Sequence, residues 1–342
     1  MKITFDLREC GAANNGGTST IFNSANILHK LGNEVVLVSD VKNKFNWFEL
    51  DGPVYKVTEV LPDADILMAT GAKSVKHVMA EHINKGKKYW WIRAHETWVI
   101  SDENVLFDLY RQKDLKLLTN SICIKKYIEK QIEKKVKIIR PGNDITVFKP
   151  TRRRIWEKQE YTLGALYNPK ERKRFEWIPE IYYALKERYP IKLRLFGDAG
   201  KGPEKYTEPE EYLVRPDKDQ LCRFYNDVDF WIAPSMSEGL HRPPQEAMLS
   251  GCLVIGATEP LSGMIDYLEH GKTGYTMAYW SDAIKLISRL IDTKGKNINT
   301  ITNAGRQRIK ELGDREYNMK HMLKMFKWDI RKKTFVRNER GV

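Results

Sequence analysis

At 342 residues, 42% hydrophobic and 30% charged, the chain has the composition of a folded protein large enough for two cores. No apolar run reaches the roughly 18 residues of a membrane span, and the charged N-terminus "MKITFDLREC" lacks a signal-peptide core. The formal net charge of +13 calls for an anionic partner: nucleic acid, an anionic membrane face or a phosphorylated substrate.

Cys10, Cys123, Cys222 and Cys252 are scattered, without the paired spacing of a metal site or disulfide. Free thiols in a reducing cytoplasm are therefore expected. The positive excess falls in "KKYIEKQIEKKVKIIR" (125–140), "RRR" (152–154), "KERKR" (170–174) and "KWDIRKK" (327–333). Solvated helix faces account for such runs by default. The run at 170–174 differs because it follows a strand.

Taken in order, "ITFDL" (3–7) reads as a first strand, followed by the glycine loop "RECGAANNGGTST". A helix comes next, with Ile21, Phe22, Ala25, Leu28 and Leu31 on one face and Gly32 as its stop. "EVVLVSD", "ADILMATG", "YWWIRAHE" and "LKLLTNS" are short apolar runs separated by helical or polar sequence. The second half repeats the habit with "YTLGAL", "IKLRLFGDAG", "DFWIAPS" and "CLVIGA". Alternation on this scale predicts parallel sheets flanked by helices. "KIIRPGNDITVFKPTRRR" (137–154) breaks it, which places a domain boundary there. The expected fold class is α/β, with two Rossmann-like doubly wound domains facing across a cleft. Their expected bounds are 1–148 and 149–316, with a helix over 317–334 crossing back to the first.

The glycine loop is neither a Walker A motif nor a G-x-G-x-x-G fingerprint. Gly16 and Gly17 would let helix N-terminal amides approach an anion, and a plain tight turn explains them equally. In "SEGLHRPPQEAMLSG" (237–251), Glu238 and Glu246 flank a double proline. Proline suits a helix's first turn, so the helix is expected to begin near Pro244 and to stop at Gly251. Both carboxylates then sit where a strand hands over to a helix, the place where open α/β sheets bind ligands. Helix capping by two surface carboxylates is the alternative.

The stretch "SEGLHRPPQEAMLSGCLVIGA" resembles the Glu-seven-residues-Glu signature of the family 4 retaining glycosyltransferases, which have the GT-B fold. "GG" with a helix ending "LHKLGNEVVLV", the linker "IRPGNDITVFKP" and the turn "HGKTGY" (270–275) are similar to other family motifs, in register over residues 3 to 290. The resemblance implies transfer of a sugar from a nucleotide-diphosphate sugar to an acceptor hydroxyl with retention, by front-face displacement and without a metal or other cofactor. It implies Glu238, His95 and Lys173 as catalytic. Glu246 would accept from the ribose hydroxyls, and backbone at Gly239, Leu240 and His241 would meet the sugar or phosphates. Gly16, Gly17 and Gly197 are counted with the donor-binding residues. The family's phosphate-binding arginine is expected where Ala165 stands, so Lys173, with Arg172 or Lys170, is the expected replacement.

His95 alone reads as structural or as lining the cleft. Trp90 and Trp91 read as core, and an exposed Trp98 could stack on a sugar. Asp63/Asp65 and Asp227/Asp229 are D-x-D pairs read as strand-entry residues rather than metal ligands. The nucleobase would be read by backbone near "YLVRPD" (212–217). Expected partners are the nucleotide-sugar donor and a glycan, glycolipid or glycoprotein acceptor, with contact at the inner face of an anionic membrane as a further use of the charge. A nucleotide-sugar epimerase or hydrolase on the same fold is the alternative activity. A basic nucleic-acid-binding protein is disfavoured, because no binding motif or interleaved aromatics accompany the basic runs.

Overall fold

The structure is a computed structural model describing residues 1–13, 15–40, 47–56, 58–151, 156–198 and 202–338, the side chains of 332–338 excepted. The chain divides into two compact units, Met1–Gly142 with Asp314–Val342, and Asn143–Gly313. The expected bounds of 148 and 316 stand beside observed changeovers after Gly142 and Gly313.

The first unit runs β1 (Lys2–Asp6), α1 (Gly16–Lys30), β2 (Glu34–Ser39), β3 (Val54–Lys56), β4 (Ile66–Ala69) and α2 (Ala72–Ala80). It continues with β5 (Lys87–Ile92), α3 (Glu103–Arg111), β6 (Lys116–Thr119), α4 (Ile122–Gln131) and β7 (Val136–Ile138). The strands pair in parallel in the order β3-β2-β1-β4-β5-β6-β7. Helices on both faces explain why these strands are apolar on both sides. Alternation along β5 sends Tyr89 and Trp91 to one face with Ile21, Phe22 and Phe326, and Trp90 and Ile92 to the other with Val75 and Ile124. Trp90 and Trp91 are therefore core, while Trp98 is exposed.

The second unit runs β8 (Tyr161–Tyr167), α5 (Trp177–Lys186), β9 (Ile191–Gly197), β10 (Glu211–Val214), α6 (Lys218–Asp227) and β11 (Phe230–Ala233). Then come α7 (Arg242–Leu249), β12 (Leu253–Ala257), β13 (Tyr275–Met277), α8 (Trp280–Asp292) and α9 (Ile298–Glu311). Its sheet is also parallel, ordered β10-β9-β8-β11-β12-β13. The short strands β3, β7, β10 and β13 carry too few apolar residues to stand out in the sequence.

The last helix, α10 (Arg315–Asn338), packs on α1 in the first unit. Met319, Met322, Leu323 and Phe326 form its buried face, with Met325 and Ile330 half-buried at the margin. One turn on, buried Asp329 accepts from Tyr89 Oη at 2.5 Å and ion-pairs with Lys116 at 2.8 Å. Removing everything after Arg315 would delete four buried apolar side chains, whose burial is worth roughly 1.5–3 kcal/mol each, and uncover the apolar face of α1 against which they pack. The truncated chain is expected to unfold at markedly lower denaturant concentration, and an unchanged midpoint would contradict this packing. Residues 339–342, expected to be loosely held together with 334–338, lie outside the described residues.

Candidate functional site

In the second unit the chain leaves β8 toward β9 on one side, and β11 lies on the other. The crevice outside the strand ends at such a reversal is where doubly wound sheets bind ligands. Two loops meet there, 168–176 after β8 and 234–241 after β11. They are stitched together: Met236 N donates to the Arg172 carbonyl at 2.9 Å, and Arg172 Nη1 donates to the Ser237 carbonyl at 3.1 Å. At the centre the Lys173 ammonium pairs with the Glu238 carboxylate, both nearly buried.

The loop carrying Glu238 is held from behind. Glu238 N donates to the Leu261 carbonyl and Gly263 N donates to the Glu238 carbonyl, each at 3.1 Å. Tyr267 Oη donates to the His241 carbonyl at 2.9 Å, and Gln245 Nε2 to that of Leu240 at 2.7 Å. Gln245 Oε1 accepts in turn from Asn143 Nδ2 at 2.9 Å. Gly239, Leu240 and His241 are buried along this turn. Such fixing holds the carboxylate in place before any ligand arrives.

α7 begins at Arg242, two residues before the expected Pro244, so both prolines lie in its first turn. His241, its N-cap, takes the left-handed conformation with φ 49°. Glu246, one turn in, accepts from Arg242 Nη2 at 2.9 Å and from Tyr225 Oη at 3.1 Å. A carboxylate has about four acceptor positions, so Glu246 keeps capacity for a diol.

Burial would raise the Glu238 carboxyl, but neighbouring His241, Lys173 and Arg172 charges hold it down at about 2. Burial pushes His241 down to about 4, Glu238 opposing and Lys173 and Arg172 reinforcing. His241 is thus neutral at pH 7, where Lys173 and Arg172 carry the stabilisation of the carboxylate. Burial also pushes the Lys173 ammonium down, with Glu238 opposing. Below its ordinary value of 6.5, His241 takes up a proton when unfolded, but not when folded until about pH 4. Unfolding is therefore favoured as pH falls through that window, by about 3 kcal/mol in all. His241→Asn, which tolerates the left-handed backbone, should flatten this slope. Equal slopes in denaturation series at pH 6.5, 5 and 4 would count against it.

The expected arginine position needs correction. β8 continues through Ala165 to Tyr167, and Ala165 is 1% exposed in the core, paired with Leu195 and Ile232. An arginine there would bury its charge among apolar side chains, so Ala165→Arg cannot restore a phosphate contact. The first residue beyond the strand is Asn168, whose Oδ1 accepts from Lys170 N at 3.1 Å. Lys170 is exposed beside the loop. Gly197 ends β9, where an added Cβ would lie 2.8 Å from both the Tyr167 carbonyl oxygen and Tyr212 Oη. The run at 152–154 lies outside the described residues.

In the first unit His95 is buried just beyond β5. Its Nδ1 lies 3.2 Å from Tyr110 Oη and its Nε2 2.7 Å from Glu103 Oε1, which also accepts from Tyr127 Oη. Both ring nitrogens are engaged within the unit. Gly16 and Gly17 open α1, with Asn15 as N-cap accepting from Thr18 N at 3.0 Å. The guanidinium of Arg93, a residue to which no motif pointed, lies against Gly17.

Asp63 accepts from Asn84 and Lys85, and Asp65 from Lys2 N. Asp227 pairs with Arg194, while Asp229 accepts from Thr162 N and pairs with Lys158. Among the described residues no His, Cys, Asp and Glu side chains group three together in a way that could hold a metal, and no helix is long and apolar enough to cross a membrane.

Residues 158–293, fewer than half of the chain, match the family described as "Glycosyl transferases group 1". No curated protein matches the chain in sequence. Among solved structures, that of HepE from Anabaena in complex with UDP and glucose has a TM-score of 0.77 at 16% identity, covering 96% of this chain and 99% of that one. Sucrose-phosphate synthase from Thermosynechococcus elongatus gives 0.75 at 14%, covering 96% and 98%. A glycosyltransferase from Rickettsia africae gives 0.77 at 15%, covering 97% and 98%. The fold is GT-B, and within it residues 158–293 are similar to the group 1 glycosyl transferases.

Proposed function

We propose that the chain is a retaining glycosyltransferase, moving a hexosyl group from a nucleoside diphosphate sugar to an acceptor hydroxyl. The observation carrying this is the Glu238–Lys173 pair at the switch point of the second unit, inside the family-matched residues. The UDP and glucose held by the Anabaena neighbour support a donor of this class. Glu246 takes the ribose diol, because an ionised carboxylate makes strong hydrogen bonds to hydroxyls. Glu238 takes the hydroxyls of the donor sugar, and amides along Gly239–His241 face the sugar or phosphates. His95 positions neighbouring groups through its bonds to Tyr110 and Glu103.

As the bond from the anomeric carbon to the phosphate oxygen breaks, negative charge gathers on the leaving diphosphate. Lys173 and Arg172 stabilise that charge in the transition state, so no metal is required. The acceptor oxygen bonds to the same face of the anomeric carbon and its proton passes to the leaving phosphate, which preserves configuration. Acceptors are glycan, glycolipid or glycoprotein hydroxyls, and the net positive charge suits work beside an anionic membrane surface.

The test is release of nucleoside diphosphate from a sugar donor, with and without a panel of acceptors, and NMR of the product's anomeric linkage. Acceptor-dependent release with retained configuration supports the assignment. Inversion would remove the front-face mechanism, and acceptor-independent conversion of the donor would mark an epimerase or hydrolase.

A further inference from the structure

The loop that follows β8 ends a 3-10 turn, Glu171–Lys173, on Arg174, whose backbone is left-handed with φ 49° and ψ 42°. Residues with a Cβ are disfavoured in this region by a factor of roughly 5 to 30, and they hold it only where their surroundings fix it. Here the fixing comes from the side chain. Arg174 Nη1 ion-pairs with Glu259 Oε1 at 2.8 Å, and its guanidinium lies 4.7 Å over the ring of Trp177, the first residue of α5. Lys173 comes just before Arg174, so the torsion at 174 sets where Lys173 stands relative to α5.

Glu259 sits in the connection that leaves β12, and no motif pointed to it. The same connection holds the other member of the central pair. Glu238 N donates to the Leu261 carbonyl and Gly263 N to the Glu238 carbonyl, and Glu238 forms a parallel bridge with Ser262. The approach is close: a Cβ added at Gly263 would lie 2.2 Å from the Gly239 carbonyl oxygen. Ser262 N closes a turn onto the Glu259 carbonyl at 2.8 Å, which ties Glu259 to this cradle. One loop therefore reaches Glu238 through its backbone and Lys173 through Glu259 and Arg174.

We propose that Glu259 is a positioning residue for the transfer reaction: its pair with Arg174 holds the left-handed turn that sets Lys173 against Glu238 and the leaving diphosphate. This rests on the glycosyltransferase reading, in which Lys173 meets the charge that develops as the donor breaks. Arg174 is then a strap rather than a phosphate ligand, its guanidinium being engaged by Glu259 and Trp177. A small displacement of a catalytic charge is enough to forfeit much of its effect on a transition state.

The experiment compares Glu259→Gln, Arg174→Ala, Arg174→Gly and the double variant Glu259→Gln/Arg174→Gly in the full chain. Two quantities are read. One is turnover at saturating concentration of the nucleotide sugar that the wild type uses fastest. The other is the rate at which acetic anhydride modifies Lys173, measured by mass spectrometry relative to the other lysines. Glu259→Gln and Arg174→Ala should each lower turnover at least about fivefold and speed Lys173 labelling by a similar factor, as the backbone leaves the left-handed region. Glycine adopts that region unaided, so Arg174→Gly and the double variant should recover most of the turnover and of the Lys173 protection. Arg174→Gly as slow as Arg174→Ala would make the guanidinium itself a substrate contact and overturn the proposal. Full turnover in Glu259→Gln would overturn it too. If the wild type turns over no nucleotide sugar, the transferase reading falls, and the labelling pattern across the four variants alone decides whether Glu259 sets Lys173.

Discussion

Lys173→Met is expected to lower turnover by more than tenfold and to destabilise the second unit by about 3–5 kcal/mol, the cost of breaking a buried ion pair from one side. The two effects have different origins. Stability falls because the Glu238 carboxylate is left nearly buried without its ammonium partner. Turnover falls because the leaving diphosphate loses a fixed cation. Adding Glu238→Gln separates them: the double variant should recover most of the stability, having no uncompensated charge, and none of the turnover. Pairing Lys173→Ala with Arg172→Ala should abolish stabilisation by the donor. Unchanged donor affinity in that pair would reduce the 170–174 run to a solvated loop.

The second large effect divides the two glutamates. Glu246→Ala should weaken both the nucleotide sugar and the free nucleoside diphosphate by roughly 10- to 100-fold, since the ribose is common to both and charge-assisted bonds are lost. Part of the loss follows from Arg242 and Tyr225, whose bonds to Glu246 fix its orientation. Glu238→Gln, preferable to alanine beside Lys173, should leave free-nucleotide affinity nearly intact and lower turnover. Equal loss of nucleotide affinity in both variants would sink this division.

The fold was legible because its central strands are unbroken apolar runs and its glycines fall beside them. What misled was a glycine with another task. Gly164 lies inside β8, within the run "YTLGAL". A Cβ there would lie 2.6 Å from Val228 Cγ2, so the residue is small to let the turn from α6 into β11 pack close. Counting from Gly164 placed the missing arginine at Ala165, inside the core, when the first residue past the strand is Asn168. The helix start at Arg242 was misjudged by two residues because proline is tolerated throughout a first turn. Local spacing identified Glu238 and Glu246 but not their partners. Tyr225 lies 21 residues before Glu246, and Lys173 lies 65 before Glu238, so only the folded sheet brings them together. The engagement of His95 by Tyr110 and Glu103 is equally a product of packing. Arg93 was passed over because a lone arginine after a strand carries no pattern; its place against Gly17 becomes visible only once the fold brings the two together.

Nucleotide recognition by the second unit is the central property. A thermal-shift panel of nucleoside diphosphates and their sugars on the wild-type chain measures it, since a selective ligand raises the midpoint by mass action. The predicted result is a shift with one nucleoside diphosphate and its sugars, abolished in Glu246→Ala and retained in Glu238→Gln. No shift with any nucleoside diphosphate, or a shift that survives Glu246→Ala unchanged, would contradict it.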